Sequence, residues 1–133
     1  MKKMKILTIS WQRLVNESGQ TCIRCGKTGE TLKTAFNKLQ KSLSELDIEV
    51  ELKEETLDFL IFTEDPLQSN RIWIGEKPLE EWIGASVAKS KCCEVCGDSE
   101  CRTITIGLNT FETVPEDLII RAGLLAAAEL FME

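Results

Sequence analysis

The sequence predicts a single α/β domain with a mixed sheet spanning residues 1–133, and three observations lead there. Apolar residues alternate with polar ones in two short runs, Leu7-Ile9-Trp11 and Ile48-Val50-Leu52, the period of a strand with one buried face. Between them Leu32, Ala35, Phe36, Leu39, Leu43 and Leu46 recur at helical spacing, with Lys33, Lys38, Lys41 and Glu45 interleaved. A C-x-x-C-G step, Cys22-Ile23-Arg24-Cys25-Gly26, lies between the first strand and that helix. Strand, helix and strand within about fifty residues form a βαβ unit, whose right-handed crossover sets the two strands parallel.

In order, the first strand is expected over Lys5 to Trp11, and Asn16-Glu17-Ser18-Gly19-Gln20 is turn chemistry that delivers the chain to the cysteines. The helix is expected to start after Gly29 and run for about four to five turns. Asp47 opens the second strand, with Glu49, Glu51 and Lys53 on its polar side. Leu57 to Phe62 reads as a short helix closed by Pro66. Arg71 to Ile74 and Pro78 to Glu80 read as a short hairpin around Gly75-Glu76-Lys77, and from Leu79 the apolar set Leu79, Trp82, Ile83 and Val87 shifts to helical spacing. The stretch from Lys91 to Cys101 is dense in Gly, Asp, Ser and Glu and reads as an inserted loop held by its thiols. Thr103 to Ile106 and Phe111 to Val114 suggest a further hairpin around Gly107 and Asn109. Pro115, Glu116 and Asp117 then open a C-terminal helix with proline in the first turn and acids against the dipole. That helix is apolar on nearly every side up to Phe131, more than one face can hide, so a homodimer interface is expected along it.

Composition narrows the function. A net charge of −6 and a pI near 4.8 argue against a phosphate-binding surface, so nucleic acid is not expected as a partner. The opening Met1-Lys2-Lys3-Met4-Lys5 is followed by only a short apolar run broken at Thr8, so neither a signal peptide nor a membrane span is expected, and the location expected is the cytoplasm. Histidine is absent, which excludes histidine acid–base chemistry and requires any soft-metal site to be built from thiolates.

The six cysteines carry the chemistry. Cys93-Glu94-Val95-Cys96-Gly97 repeats the first C-x-x-C-G step. A two-residue spacer lets both sulfurs face one point, and the following glycine lets backbone N–H groups turn toward them. In a reducing cytosol such pairs read as metal or redox centres rather than a disulfide framework. As a metal site, Cys22, Cys25, Cys93 and Cys96 make one four-thiolate set, with Cys92 and Cys101 as accessory thiols. Zinc suits the set first, and iron or a soft ion such as arsenite or mercury satisfies the same donors. As a redox site, Cys22 and Cys25 exchange with a disulfide on a partner protein, and Cys92, Cys93, Cys96 or Cys101 resolves or relays it. Buried free cysteine is common, but the polar neighbours Lys91, Glu94 and Asp98 set this loop apart. Trp11, Trp73 and Trp82 read as core or partner surface, and Glu49 to Glu55 as a solvated strand face.

The order strand, C-x-x-C, long helix, strand, short helix, hairpin and terminal helix resembles the thioredoxin-like fold over most of the chain. The strings Ser10-Trp11-Gln12-Arg13-Leu14-Val15, Thr21-Cys22-Ile23-Arg24-Cys25-Gly26, Ser69-Asn70-Arg71-Ile72-Trp73-Ile74 and Cys92-Cys93-Glu94-Val95-Cys96-Gly97-Asp98 resemble an uncharacterised prokaryotic cysteine-rich family, a domain of unknown function with that fold. The resemblance implies that Cys22 and Cys25 stand where thioredoxins keep their redox pair. It also puts Asn70, ahead of the third strand, where thioredoxins carry a cis-proline.

Overall fold

The computed structural model describes residues 5–14, 23–57, 71–91, 100–111 and 113–131. Among these residues seven strands and three helices follow in the order β1 (Lys5–Leu14), α1 (Ile23–Ser44), β2 (Ile48–Leu57), β3 (Arg71–Ile74), β4 (Lys77–Pro78), α2 (Leu79–Ile83), β5 (Ser86–Lys91), β6 (Glu100–Ile106), β7 (Asn109–Phe111) and α3 (Glu116–Leu130). The architecture is mixed α/β. A four-stranded sheet has the order β2-β1-β3-β4, and a second sheet the order β5-β6-β7.

The βαβ unit stands as the alternation predicts. β1 and β2 are parallel, with Leu7 opposite Val50 and Ile9 opposite Leu52. β3 runs antiparallel to β1, placing Ile72 opposite Trp11 and Ile74 opposite Ile9. Because successive side chains alternate, Leu7, Ile9, Trp11, Ile48, Val50, Ile72 and Ile74 all bury on one face. α1 covers that face with Leu32, Ala35, Leu39 and Leu43, and α3 with Leu118, Ile119, Ala122, Ala126 and Ala127. The two helices also pack on each other, and Gly123 permits the approach, since a Cβ there would stand 2.6 Å from Leu39 Cδ1.

The two long helices described lie together on one face of this sheet. On the other face of β1, Ile6 is 52% exposed. Of the short helix expected over Leu57 to Phe62, Leu57 closes β2 and the remainder lies outside the described residues.

Three boundaries differ from expectation, each for a local reason. α1 begins at Ile23, not after Gly29: the two glycines read as breakers, yet a Cβ at Gly29 would overlap the Trp11 ring, so glycine there is what tertiary packing requires. α2 stops at Ile83 because Gly84 takes a left-handed conformation (φ 67°, ψ 33°), so Val87 belongs to β5 rather than to a helical set. The loop expected over 91–101 is shorter: Lys91 pairs with Glu100 and Ser90 with Cys101, and residues 92–99 lie outside the described residues. The hairpin after it is β6 and β7 around Gly107, with Ile106 opposite Asn109, and it ends at Phe111. This second sheet joins the core through Ile104, which is buried.

The proline-opened helix is as expected, with Leu118 and Ile119 N–H donating to Pro115 O at 3.2 and 3.4 Å. Among the described residues no helix is long and apolar enough to cross a membrane.

Candidate thiolate site

Of the six cysteines, Cys25 and Cys101 fall on described backbone, whereas Cys22, Cys92, Cys93 and Cys96 lie outside the described residues. Cys25 is in the first turn of α1, and Cys22 immediately precedes that helix in sequence. Cys101 is in β6 opposite Ser90, near the strand end from which residues 92–99 continue. Asn70 also lies outside, directly ahead of β3. Among the described residues no group of three His, Cys, Asp or Glu stands close enough to hold an ion. The donor chemistry itself fits a soft metal: thiolates at C-x-x-C spacing and no histidine.

The C-terminal part of β1 packs against the early turns of α1. Trp11 is 3% exposed and its ring abuts Gly29 on α1. Arg13, two residues further along β1 and therefore on the same face, stacks its guanidinium over that ring at 4.4 Å from the centroid. Arg13 Nη1 is enclosed with no hydrogen-bond partner among the described residues. The other face carries a second stack at the same level: Arg71, opposite Gln12, lies 4.2 Å over the Trp73 ring. Two guanidiniums thus flank the strand end from which the chain proceeds toward Cys22.

A strap holds the next turn of α1. Thr28 Oγ1, buried, accepts a hydrogen bond from Val114 N–H at 3.2 Å, and Thr31 Oγ1 donates to Val114 O at 2.7 Å. The segment between β7 and α3 is thereby fixed to α1 within two turns of Cys25.

Sequence reading missed both arginines. The signal is Trp11-x-Arg13 and Arg71-x-Trp73, because an i, i+2 spacing within a strand puts the two side chains on one face.

A cavity of about 400 Å³ lies at the other end of β1, lined by Ile6, Thr8, Gly75, Lys77, Trp82 and Leu130. Lys77 Nζ stacks 4.5 Å from the Trp82 ring centroid and pairs with Glu129 at 3.6 Å, so the cavity's lysine and this glutamate engage each other. It does not belong to the cysteine end.

Comparison with known proteins yields a family without an assigned activity. An uncharacterized protein of Archaeoglobus fulgidus is 45% identical over 113 residues, covering 85% of this chain and 82% of its own. No solved structure matches the chain. The description "Domain of unknown function (DUF2703)" matches residues 7–123, Trp11, Arg13, all six cysteines and the Val114 strap included, and the chain belongs to that family.

Proposed function

We propose that this chain is a cytoplasmic thiolate protein on a thioredoxin-like scaffold, with Cys22 and Cys25 as its working pair. The observation that carries the reading is that α1 starts at Ile23, so the C-x-x-C step spans the start of a 22-residue helix at the C-terminal end of the central strand. Thiolates at a helix N-terminus are stabilised by unpaired N–H groups and the helix dipole. The strand order β2-β1-β3-β4, with its first pair parallel and the others antiparallel, supports the thioredoxin-like scaffold.

The chemistry this arrangement favours is thiol–disulfide exchange. The Cys22 thiolate attacks one sulfur of a substrate disulfide, the S–S bond breaks, and one substrate thiolate leaves as a mixed disulfide forms. The Cys25 thiolate then attacks Cys22 sulfur and expels the second substrate thiolate. The substrate is reduced to two thiols and the pair is oxidised to a disulfide, which an external dithiol must reduce.

Metal binding by Cys22, Cys25, Cys93 and Cys96 is the second reading. It is favoured by the repeated C-x-x-C-G step, whose second copy falls between the paired strand ends Lys91 and Glu100. Zinc bound to four thiolates supplies a structural clamp of about 10 to 16 kcal/mol.

One set of serine variants separates the two. Exchange predicts that untagged protein reduces insulin disulfides in the presence of dithiothreitol, that Cys22→Ser abolishes this, and that Cys93→Ser and Cys101→Ser do not. A metal clamp predicts about one zinc or iron per chain by elemental analysis after chelator-free purification, lost in Cys22→Ser and Cys93→Ser alike and kept in Cys101→Ser. Protein with neither reductase activity nor bound metal would defeat both.

The same proposal includes a homodimer through α3. Packing hides Leu118 and Ile119, but Leu124, Leu125 and Phe131 remain 49%, 43% and 55% exposed. Equilibrium sedimentation at micromolar concentration is expected to give twice the chain mass; monomer alone would remove the interface.

A further inference from the structure

We propose that the cavity beside Ile6 is a strand-addition site that takes the free amino terminus of an extended peptide. It lies at the opposite end of β1 from the cysteines and stands apart from both the exchange and the metal readings.

Backbone hydrogen bonds reveal a vacant place in the ladder. Lys5 N–H donates to Asp47 O at 3.0 Å, on the β2 side of β1, and Thr8 O accepts from Gly75 N–H at 2.8 Å, on the β3 side. Peptide groups alternate in direction along a strand, so Ile6, two residues from Thr8, also turns its N–H and C=O toward the β3 side. β3 pairs with β1 over Ile9 to Gln12, and the Gly75-Glu76 turn then carries the chain to β4 on the far side of β3. Among the described residues no strand is opposite Ile6. The cavity occupies that place. Ile6 and Thr8 line it from one face of β1, and Leu7, Ala126 and Leu130 from the helix-covered face. It therefore lies in the plane of the sheet, where a neighbouring strand would run.

Size and charge select the occupant. At about 400 Å³ the cavity is near the lower end of the roughly 300 to 1,000 Å³ usual for ligand pockets, which is room for a short segment. The Gly75-Glu76 turn closes the end toward β3, so a peptide in the slot must place a chain end there. Lys77 is held by Glu129, whereas Glu76, also in the lining, has no ion pair among the described residues. The charge left for that chain end is negative, and the end it fits is an ammonium. With its amino terminus at the turn the peptide runs antiparallel to β1, continues the line of β3, and exchanges N–H and C=O with Ile6. Trp82 is fixed by its Nε1 donating to Ile74 O at 2.8 Å, and its ring and Leu130 form the wall on which an apolar side chain of the peptide packs.

The test follows the amide resonances of the isotope-labelled full-length chain on addition of leucyl-leucinamide, which has a free amino group, or its N-acetyl form. At about pH 6.5 the amine is protonated, since an α-amino group titrates near 7.7 to 8.0. Leucyl-leucinamide is expected to bind with a Kd of about 1 mM or tighter, shifting the resonances of Ile6, Gly75 and the Trp82 indole N–H. Hydrogen exchange at the Ile6 amide should slow, because that N–H becomes a donor to the peptide carbonyl. The N-acetyl form on the natural chain, and the free amine on Glu76→Gln, should each bind about tenfold more weakly. Glu76 is exposed in a turn, and the comparison of the two peptides needs no variant, so misfolding of Glu76→Gln does not protect the proposal. Equal binding of both peptides overturns the assignment of the amino terminus, and binding without slowed exchange at Ile6 overturns strand addition. No shift at these positions up to about 10 mM peptide removes the site altogether.

Discussion

Replacing Trp11 with alanine will lower stability by about 3 to 5 kcal/mol, the range for truncating a buried aromatic side chain. The ring is 3% exposed, lies on the helix-covered face of the central strand, and fills the space that a side chain at position 29 would need. Truncation therefore leaves a void between β1 and α1 that two rigid elements cannot close. Urea titration followed by circular dichroism measures the loss, since Trp73 and Trp82 complicate fluorescence. A second substitution makes the assignment specific. In the natural background Gly29→Ala should destabilise, because its methyl meets the ring. In the Trp11→Ala background it should stabilise by up to about 1 kcal/mol, the helix propensity of alanine over glycine. A Trp11→Ala loss below about 1 kcal/mol, or no change of sign at position 29, would show that this contact does not hold α1 to the sheet.

Leu39→Ala should cost about 2 to 5 kcal/mol. Leu39 is 1% exposed and sits where α1 and α3 come closest, its methyls against Gly123. The helices approach because one of them has no side chain at the contact, so Leu39 is the material between them and its removal leaves a hole. Gly123→Ala should recover part of the loss in the Leu39→Ala background, since its methyl enters the vacated volume. Equal effects of Gly123→Ala in both backgrounds, measured by thermal unfolding, would mean the two positions are not in contact.

The parts of the fold legible in the sequence are those whose signal is local. Alternation through Leu7, Ile9 and Trp11 and through Ile48, Val50 and Leu52 marked two strands that are parallel neighbours in the stated register. The Gly75-Glu76-Lys77 turn and Pro115 likewise marked a hairpin and a helix start, with Lys77 already paired to Ile74. What escaped depends on distant partners. Gly29 weakens a helix taken alone and is required once Trp11 is against it. The β5 strand, Ser86–Lys91, has Val87 and Ala88 as its apolar residues and is defined by pairing with β6. At the candidate site the cysteine spacing was legible, because C-x-x-C is a sequence pattern. The cationic surroundings were not, because Arg13 gains meaning only from the indole beneath it and from its level on the strand.

The position of β2 has a consequence for solubility. It is ten residues long and, among the described strands, occupies the outer place in its sheet, with β1 on one side only. A long outer strand presents a row of unpaired N–H and C=O groups, a template on which a second chain can align. β2 carries Glu49, Glu51, Lys53, Glu54 and Glu55 in close succession, and all but the half-buried Glu51 are exposed. In a parallel, in-register stack of identical chains each glutamate would face its own copy about 4.8 Å away, and the excess of negative charge makes that arrangement repulsive. Part of the acidity of this chain is thus placed where unwanted strand-to-strand growth would otherwise begin.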